Sequence, residues 1–343
     1  MKTSFSIIIV TWNGLHHLKN FLPSVVKTDY TEFEIIIADN CSNDGTAEWI
    51  RNHYPGCRIV TFDQNYGYCG GNNRAVPYAT GDVLIFLNND VRVQADWLTP
   101  LGRSFESGGA DIVQPKILSH KNPAKFEYAG AAGGMIDRLG YPFCRGRLFE
   151  HLEEDHGQYD DESELFWASG AAMVIRKEVF IKLGGFDEEF EFHMEEIDLC
   201  WRAWNRGYKT KFQPESVVYH LGGGSLPMES PRKVYYNYRN SLMMLTKNLS
   251  SGLFAKIFLR LCLDGVAGMR SLLSLKPGET AAIIKSHFGY YRRLPSVLKK
   301  RKLLEDSGGL LPDKKTPIYN GLIIFDYFLK GSKKFTDIDF EEE

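Results

Sequence analysis

The chain has 343 residues, 43% of them apolar and 24% charged. These globular proportions exclude a disordered, collagen-like or coiled-coil chain and give ample length for a large core. The formal net charge of −2, from 41 basic and 43 acidic residues, speaks against a surface coated for nucleic acid. That total conceals an asymmetry. Residues 231–302 hold fifteen Lys and Arg against two acids, a balance of +13, so the rest of the chain carries −15. Such a split predicts two parts with different tasks.

Six cysteines (Cys41, Cys57, Cys69, Cys144, Cys200 and Cys262) are scattered without a C-x-x-C pair, neither a disulfide framework nor a zinc set. A reducing compartment fits them best. The apolar run Phe5 to Val10 is short for a secretory signal. No stretch reaches the roughly 18 uncharged apolar residues of a spanning helix. The expectation is a cytoplasmic protein.

In chain order, Phe5 to Val10 reads as a buried strand, Gly14 to Val26 as a helix, and Phe33 to Ala38 as a second strand. A helix follows over Thr46 to His53, then a strand over Arg58 to Phe62. Next come a glycine-rich loop from Gly67 to Gly71, a helix to Ala79, and a fourth strand from Asp82 to Leu87. Continuous apolar strands separated by helices predict a mostly parallel α/β sheet covered on both faces. A helix near Asp96 to Glu106 and a strand near Ile112 to Lys116 extend it. Ser119 to Glu164 reads as an irregular loop or lid. Trp167 to Ile175 reads as a strand, Glu195 to Arg206 as a helix, and Tyr208 to Phe212 and Ser216 to His220 as short strands. Beyond Pro231 the chain reads helical to about Leu304, and a tail follows. The predicted division is 1–230 (1–118 and 119–230), a basic helical region 231–305, and a tail 306–343.

In open parallel sheets ligands bind beyond the carboxyl ends of the strands. Polar residues collect there: Thr11, Trp12 and Asn13; Asp39, Asn40 and Ser42; Asn88, Asn89 and Asp90. Turn formation alone explains any one of these groups, but three in register predict a shared site. The first strand lacks the G-x-G-x-x-G turn of a dinucleotide fold, and the P-loop pattern is absent. Asp90 closes an apolar strand, where a lone carboxylate beside an anionic ligand commonly works through a divalent cation; the plain alternative is a helix N-cap. Glu195, Glu196 and Asp198 open a helix, and carboxylates crowded into one turn raise at least one pKa, which suits a general base. His220, before Gly222 to Ser225, reads as a structural histidine, a metal ligand or a phosphate contact.

These segments together resemble the inverting glycosyltransferases of family 2, with the GT-A fold, and in particular the rhamnosyltransferase-like members that build bacterial surface polysaccharides. The blocks that carry the resemblance are residues 6–13, 36–46, 65–73, 87–90, 168–172, 184–187 and 193–202, within roughly residues 4 to 250. The resemblance implies that Thr11, Asn13 and Asp39 hold the nucleoside and that Asn65 and Asn73 lie in a loop closing on the nucleotide. Asn89, Ser169 and Gly170 belong to the nucleotide-sugar set. Asp90 would bind Mg²⁺ or Mn²⁺ on the diphosphate, with His220 completing the metal shell. Glu196 falls at the catalytic base, and Glu195 and Asp198 would shape the acceptor site. The chain departs from the family in two places. Its metal element reads Asn-Asn-Asp, with a single acid, and its base is Glu where Asp is usual.

The implied partners are a nucleoside-diphosphate sugar donor and a glycan or lipid-linked acceptor, with no nucleic acid. Leu253, Ile257 and Leu261, with Phe254 and Phe258, form an apolar stripe flanked by Lys256 and Arg260. Such a helix can lie on an anionic membrane, here the inner face of the cell membrane, or pack against the catalytic part or a second copy. The alternative function is a non-catalytic nucleotide-sugar-binding or assembly subunit, which the intact Asp39, Asp90 and Glu196 set disfavours.

Overall fold

The computed structural model describes residues 2–222, 230–310 and 316–340. The elements are, in order, β1 (Phe5–Thr11), α1 (Leu15–Val26), β2 (Phe33–Asp39), α2 (Thr46–His53), β3 (Arg58–Thr61), α3 (Gly67–Ala75), β4 (Val83–Leu87), β5 (Val91–Val93), α4 (Leu98–Glu106) and β6 (Ile112–Ser119). A hairpin region follows with β7 (Gly134–Asp137), β8 (Pro142–Cys144), β9 (Arg147–Leu148) and β10 (His151–Leu152). Then come β11 (Ala172–Arg176), α5 (Lys177–Lys182), α6 (Glu195–Trp204), β12 (Thr210–His220), α7 (Pro231–Asn248), α8 (Leu253–Leu273), α9 (Pro277–Asp306) and β13 (Ile318–Tyr319).

The main sheet has strand order β3-β2-β1-β4-β11-β6-β12-β5. Its first four strands are parallel, as their apolar runs predict, while β11 lies antiparallel between β4 and β6, and β5 runs antiparallel to β12. Both faces are covered because both sets of alternating side chains are apolar. Ile7 and Ile9 point to one core with Leu18, Leu22 and Trp97, and Ile8 points to the other with Ile36, Leu84 and Phe86.

Several expectations need correction. The glycine-rich run at 67–71 is helical, the first turns of α3. Small residues are needed there for packing: a Cβ on Gly71 would meet Val10 at 2.8 Å and Asn40 at 2.9 Å. The 119–164 segment is not an irregular lid. It builds a second sheet, β10-β9-β8-β7-β13, whose strands of two to four residues are too short to show a period. The two short strands near 208–220 are one strand, β12, with a register shift between Gln213 and Val217. In the tail, Ile318–Tyr319 adds to β7. The expected turn at Gly223–Ser225 and parts of the tail (311–315 and 341–343) lie outside the described residues.

The basic helices dock on the acidic segment 187–198. Lys247 of α7 reaches Asp187 at 2.7 Å and Asp198 at 2.9 Å, and Lys300 of α9 reaches Asp187 at 2.6 Å. Asp198, fully buried, also accepts from Arg202 Nε at 2.9 Å and Asn248 Nδ2 at 2.8 Å. Burial alone would raise the Asp187 pKa, but the two lysines outweigh it and hold the carboxyl well below its usual range. That stabilisation is complete above the ordinary Asp value and is lost as pH falls towards the lowered one. Lys247→Met leaves two buried carboxylates without their shared cation. It should cost about 3–5 kcal/mol in urea unfolding, and adding Asp198→Asn should recover part of the loss.

Candidate active site

At the ends of β1, β2 and β4 the predicted polar residues interlock. Asn89 Nδ2 donates to Thr11 Oγ1 at 2.9 Å. The Asn13 amide donates to Ser42 Oγ at 2.9 Å, and Asn13 Oδ1 accepts from the Asn43 amide at 2.9 Å. Asp39 Oδ1 accepts from the Ser42 amide at 3.1 Å. Gly14 closes this cluster: a Cβ there would stand 2.3 Å from Thr11 Oγ1 and 2.4 Å from Asn89 Nδ2. Asn13 itself sits in the left-handed region at φ 51°, a conformation that concentrates at functional turns.

The other two predicted amides have structural partners. Asn65 is exposed and caps the start of α3 by accepting from the Gly67 amide at 2.8 Å. Asn73 is on α3, not in a closing loop. It donates to Phe186 O at 2.8 Å and accepts from the Phe186 amide at 2.9 Å.

Asp90 and His220 meet, with Nε2 3.2 Å from the carboxylate. On the other side of the ring, Nδ1 lies 3.1 Å from Glu127. All three are buried. Burial alone would lower the His220 pKa, but the two carboxylates outweigh it and lift it to about 10. Burial would likewise raise Asp90, yet His220, with His17 further off, holds it low. Glu127 is absent from the sequence expectations because it sits in a region without periodicity. A carboxylate behind a metal-binding imidazole fixes the ring and its tautomer. Among the described residues no three His, Cys, Asp or Glu form a closed metal cage. A divalent cation at this corner would have to displace the proton that His220 shares between Asp90 and Glu127, with its remaining ligands drawn from substrate phosphate and water.

The segment before β11 links this corner to the carboxylates of α6. The Asn88 amide donates to Ala171 O at 3.0 Å. Ser169 is buried, its amide donating to Gln114 Oε1 at 2.8 Å and its hydroxyl to Ala129 O at 2.5 Å. Tyr68 OH donates to Gly170 O at 2.8 Å. Burial, then the charges of Glu195 and Glu196, pushes Tyr68 well up. Tyr68 was not singled out because it lies inside the glycine-rich run.

Glu195 and Glu196 begin α6, and each has a buried carboxylate oxygen with no hydrogen-bond partner. Burial raises both. Glu195, further raised by the charges of Glu196 and Asp198, lies well above the usual range, and Glu196 rises to about 7 against the pull of first-turn amides. Asp198 departs from expectation. Its ties to Arg202, Lys247 and Asn248 turn it into the protein interior rather than the acceptor side.

The turn that delivers α6 has three residues at positive φ: Glu191 at 63°, His193 at 64° and Met194 at 74°. It is held from α7. Asn240 Nδ2 reaches the carbonyls of Phe190, Phe192 and His193 at 2.7–2.8 Å, and Arg239 Nη2 donates to Phe190 O at 2.9 Å. Asn240→Leu should leave the Phe192 and His193 carbonyls without this donor, while Phe190 O keeps Arg239. The expected outcome is a loss of about 1–3 kcal/mol in unfolding, with kcat falling more than donor affinity.

Comparison with known proteins adds the following. The model of Glycosyl transferase family 2 matches residues 6–184. The chain is 25% identical over 297 residues to the N-acetylglucosaminyl-diphospho-decaprenol L-rhamnosyltransferase of Mycobacterium tuberculosis, covering 80% of this chain and 94% of that protein. It is 24% identical over 266 residues to the dTDP-rhamnosyl transferase RfbF of Shigella flexneri, covering 72% and 82%. It spans only 28% of protein y4gI of Sinorhizobium fredii, at 26% identity. Among solved structures, GalNAc-T7 with UDP, GalNAc and Mn²⁺ superposes with a TM-score of 0.58 at 16% identity, over 86% of this chain and 58% of that one. S. aureus TarS 1-349 in complex with UDP-GlcNAc gives 0.54 at 16% identity, over 89% and 91%.

Proposed function

The chain belongs to glycosyl transferase family 2; on that premise we propose that it moves a sugar, rhamnose in the first instance, from a nucleoside-diphosphate sugar to a hydroxyl of a glycan or lipid-linked saccharide, in cell-surface polysaccharide synthesis. The observation that supports this reading is two elements on either side of Gly170–Ala171: the Asp90–His220–Glu127 corner, reached through the Asn88–Ala171 bond, and the Glu196 carboxyl, raised to about 7, whose charge reaches Tyr68 on Gly170. Names of the mycobacterial and Shigella relatives support the choice of sugar.

In this reading residues 1–118 hold the donor, 119–230 the acceptor side, and Thr11, Asn13, Asp39 and Asn89 the nucleoside. Asp90 and His220 would hold Mg²⁺ or Mn²⁺, which when bound supplies positive charge against the departing diphosphate. Glu196 takes the proton of the acceptor hydroxyl. The oxygen attacks the anomeric carbon from the face opposite the diphosphate, and the bond to the diphosphate oxygen breaks, inverting the centre. Glu195 stands beside Glu196, its carboxyl pushed up by burial and by the Glu196 charge, which favours the base as the one of the pair to ionise first.

Thermal-shift measurements with UDP-, dTDP- and GDP-sugars, with and without Mn²⁺, test the donor class: at least one should stabilise the chain, and none doing so defeats the reading. Glu196→Gln should keep that stabilisation and lose transfer by a factor of about 10²–10⁴. In the unaltered protein transfer should fall as pH drops through about 7, because the base must be ionised.

The acceptor reading extends to location. No helix among the described residues is long and apolar enough to cross a membrane. The stripe of α8 divides: Leu253, Ile257 and Leu261 pack on the core, while Phe254 is 90% and Phe258 70% exposed. Leu273 and Leu275 are similarly bare, at 84% and 89%. On α9, exposed Ile284, Tyr291 and Leu298 recur every seven residues beside exposed Lys285, Arg292 and Lys299. Apolar tips flanked by cations fit an anionic bilayer better than a second copy carrying the same charge. Flotation with phosphatidylglycerol vesicles at low salt should carry the protein upward, and salt should release it. Dimerisation without vesicle binding would select the other occupant.

A further inference from the structure

Seven Lys and Arg side chains are buried among the described residues. Six of them (Lys116, Arg145, Arg202, Arg239, Lys247 and Arg260) have a carboxylate within 4.0 Å. Arg147 does not. Its Nη1 donates to Phe149 O at 2.9 Å, its Nη2 lies 3.6 Å from Cys144 Sγ, and its Nε, also buried, has no partner. The Glu127 charge reaches Arg147 only beyond ion-pair distance, and a buried guanidinium with an unused N–H has donor capacity left for an anion.

The surroundings point the same way. Arg147 stacks on the ring of Tyr128 with its guanidinium carbon 4.1 Å from the centroid, and Lys233 Nζ lies 4.9 Å from the same centroid. Lys233 is in the first turn of the 18-residue α7, whose N-terminal amides favour negative charge. Burial, then the charge of Arg147, lowers the Lys233 pKa. His193 feels Lys233 as well and has a buried Nε2 without a partner. The acid whose charge reaches both Arg147 and Lys233 is Glu127, which already faces His220 Nδ1 and accepts from the Ala129 amide. This cluster therefore stands between the Asp90–His220 corner, through Glu127, and the base helix, through His193.

We infer that Arg147 and Lys233, ranged on Tyr128, form an anion site for a phosphoryl group of a substrate. The inference rests on the proposed transferase reading and deepens it. Asn88-Asn89-Asp90 offers a single carboxylate to a cation, so fixed side-chain cations at this place share the task of holding phosphoryl oxygens. Arg and Lys suit that task through charge-assisted hydrogen bonds that need no reorganisation during reaction. The phosphoryl group comes either from the donor's diphosphate or from a phosphate on the acceptor.

The test uses the full chain, calorimetric titration and two probes in the presence of Mn²⁺: the nucleoside diphosphate (UDP, dTDP or GDP) that the unaltered protein binds, and a short-chain prenyl phosphate. Lys233→Met should weaken one or both by roughly tenfold or more, flatten the salt dependence of that binding and leave the parent nucleoside unchanged. Lys233→Arg should restore it. Arg147→Lys, which keeps the charge but removes Nε, should weaken the same probe. Loss for the diphosphate assigns the site to the donor, and loss for the prenyl phosphate assigns it to the acceptor. If the unaltered protein binds a probe and Lys233→Met changes neither affinity by more than about twofold, the anion site is overturned while the transferase reading stands. If the unaltered protein binds neither probe, the transferase reading fails and the site fails with it.

Discussion

The amide of Asn240 holds three carbonyls of a turn that the chain would not otherwise adopt. Non-glycine residues at positive φ cost of order 1–3 kcal/mol each when strained, and they persist only where surrounding contacts over-determine them. Three occur between Glu191 and Met194, and the next residues are Glu195 and Glu196. The carboxylates of α6 are therefore aimed by a helix that begins some 35 residues later in the chain. The charge asymmetry follows from the same contact. The basic helices are not a separate appendage; part of their excess charge neutralises the acids at 187–198, the segment that leads into Glu195 and Glu196.

Three acids within one helical turn have three fates, set by what surrounds them rather than by their spacing. Asp198 points towards Arg202 and Lys247 and is a structural counter-ion. Glu195 is buried, and burial together with the Glu196 charge raises its carboxyl well above the usual range. Glu196 is held between desolvation and the first-turn amides, near neutrality. Pulling neighbouring carboxyl groups apart in this way is how one site obtains a proton acceptor beside a neutral neighbour.

Much of the architecture was legible in the sequence because β1, β2 and β4 are buried on both faces and read as unbroken apolar runs. Their polar ends located Thr11, Asn13, Asp39 and Asp90, and tertiary contact then brought Asn89 to Thr11 and His220 to Asp90. What escaped had no local signature. Strands of two to four residues carry no measurable period, so the second sheet, and with it Arg147, reads as loop, as does the irregular stretch before it that holds Glu127. Gly67 to Gly71 read as a turn by composition, yet close packing against Val10 and Asn40 makes it a helix of small residues. The stripe on α8 was correctly seen as apolar, but spacing alone could not divide Leu253 and Ile257, which face the core, from Phe254 and Phe258, which face outward.

The pairing of β13 with β7 has a further consequence. The sheet that carries Arg147 draws one edge strand from residues 318–319, and Arg239 and Asn240, which clamp the turn before Glu195, lie some 45 residues beyond it. During synthesis from the N-terminus, β1 to β4 can pair from contacts close in sequence, whereas the turn before Glu195 and the second sheet wait for α7 and for residues 318–319. Loops this long close slowly. A chain made only as far as β12 thus has its parallel strands but lacks the contacts that fix the turn before Glu195, which arrive with α7, and the edge strand β13.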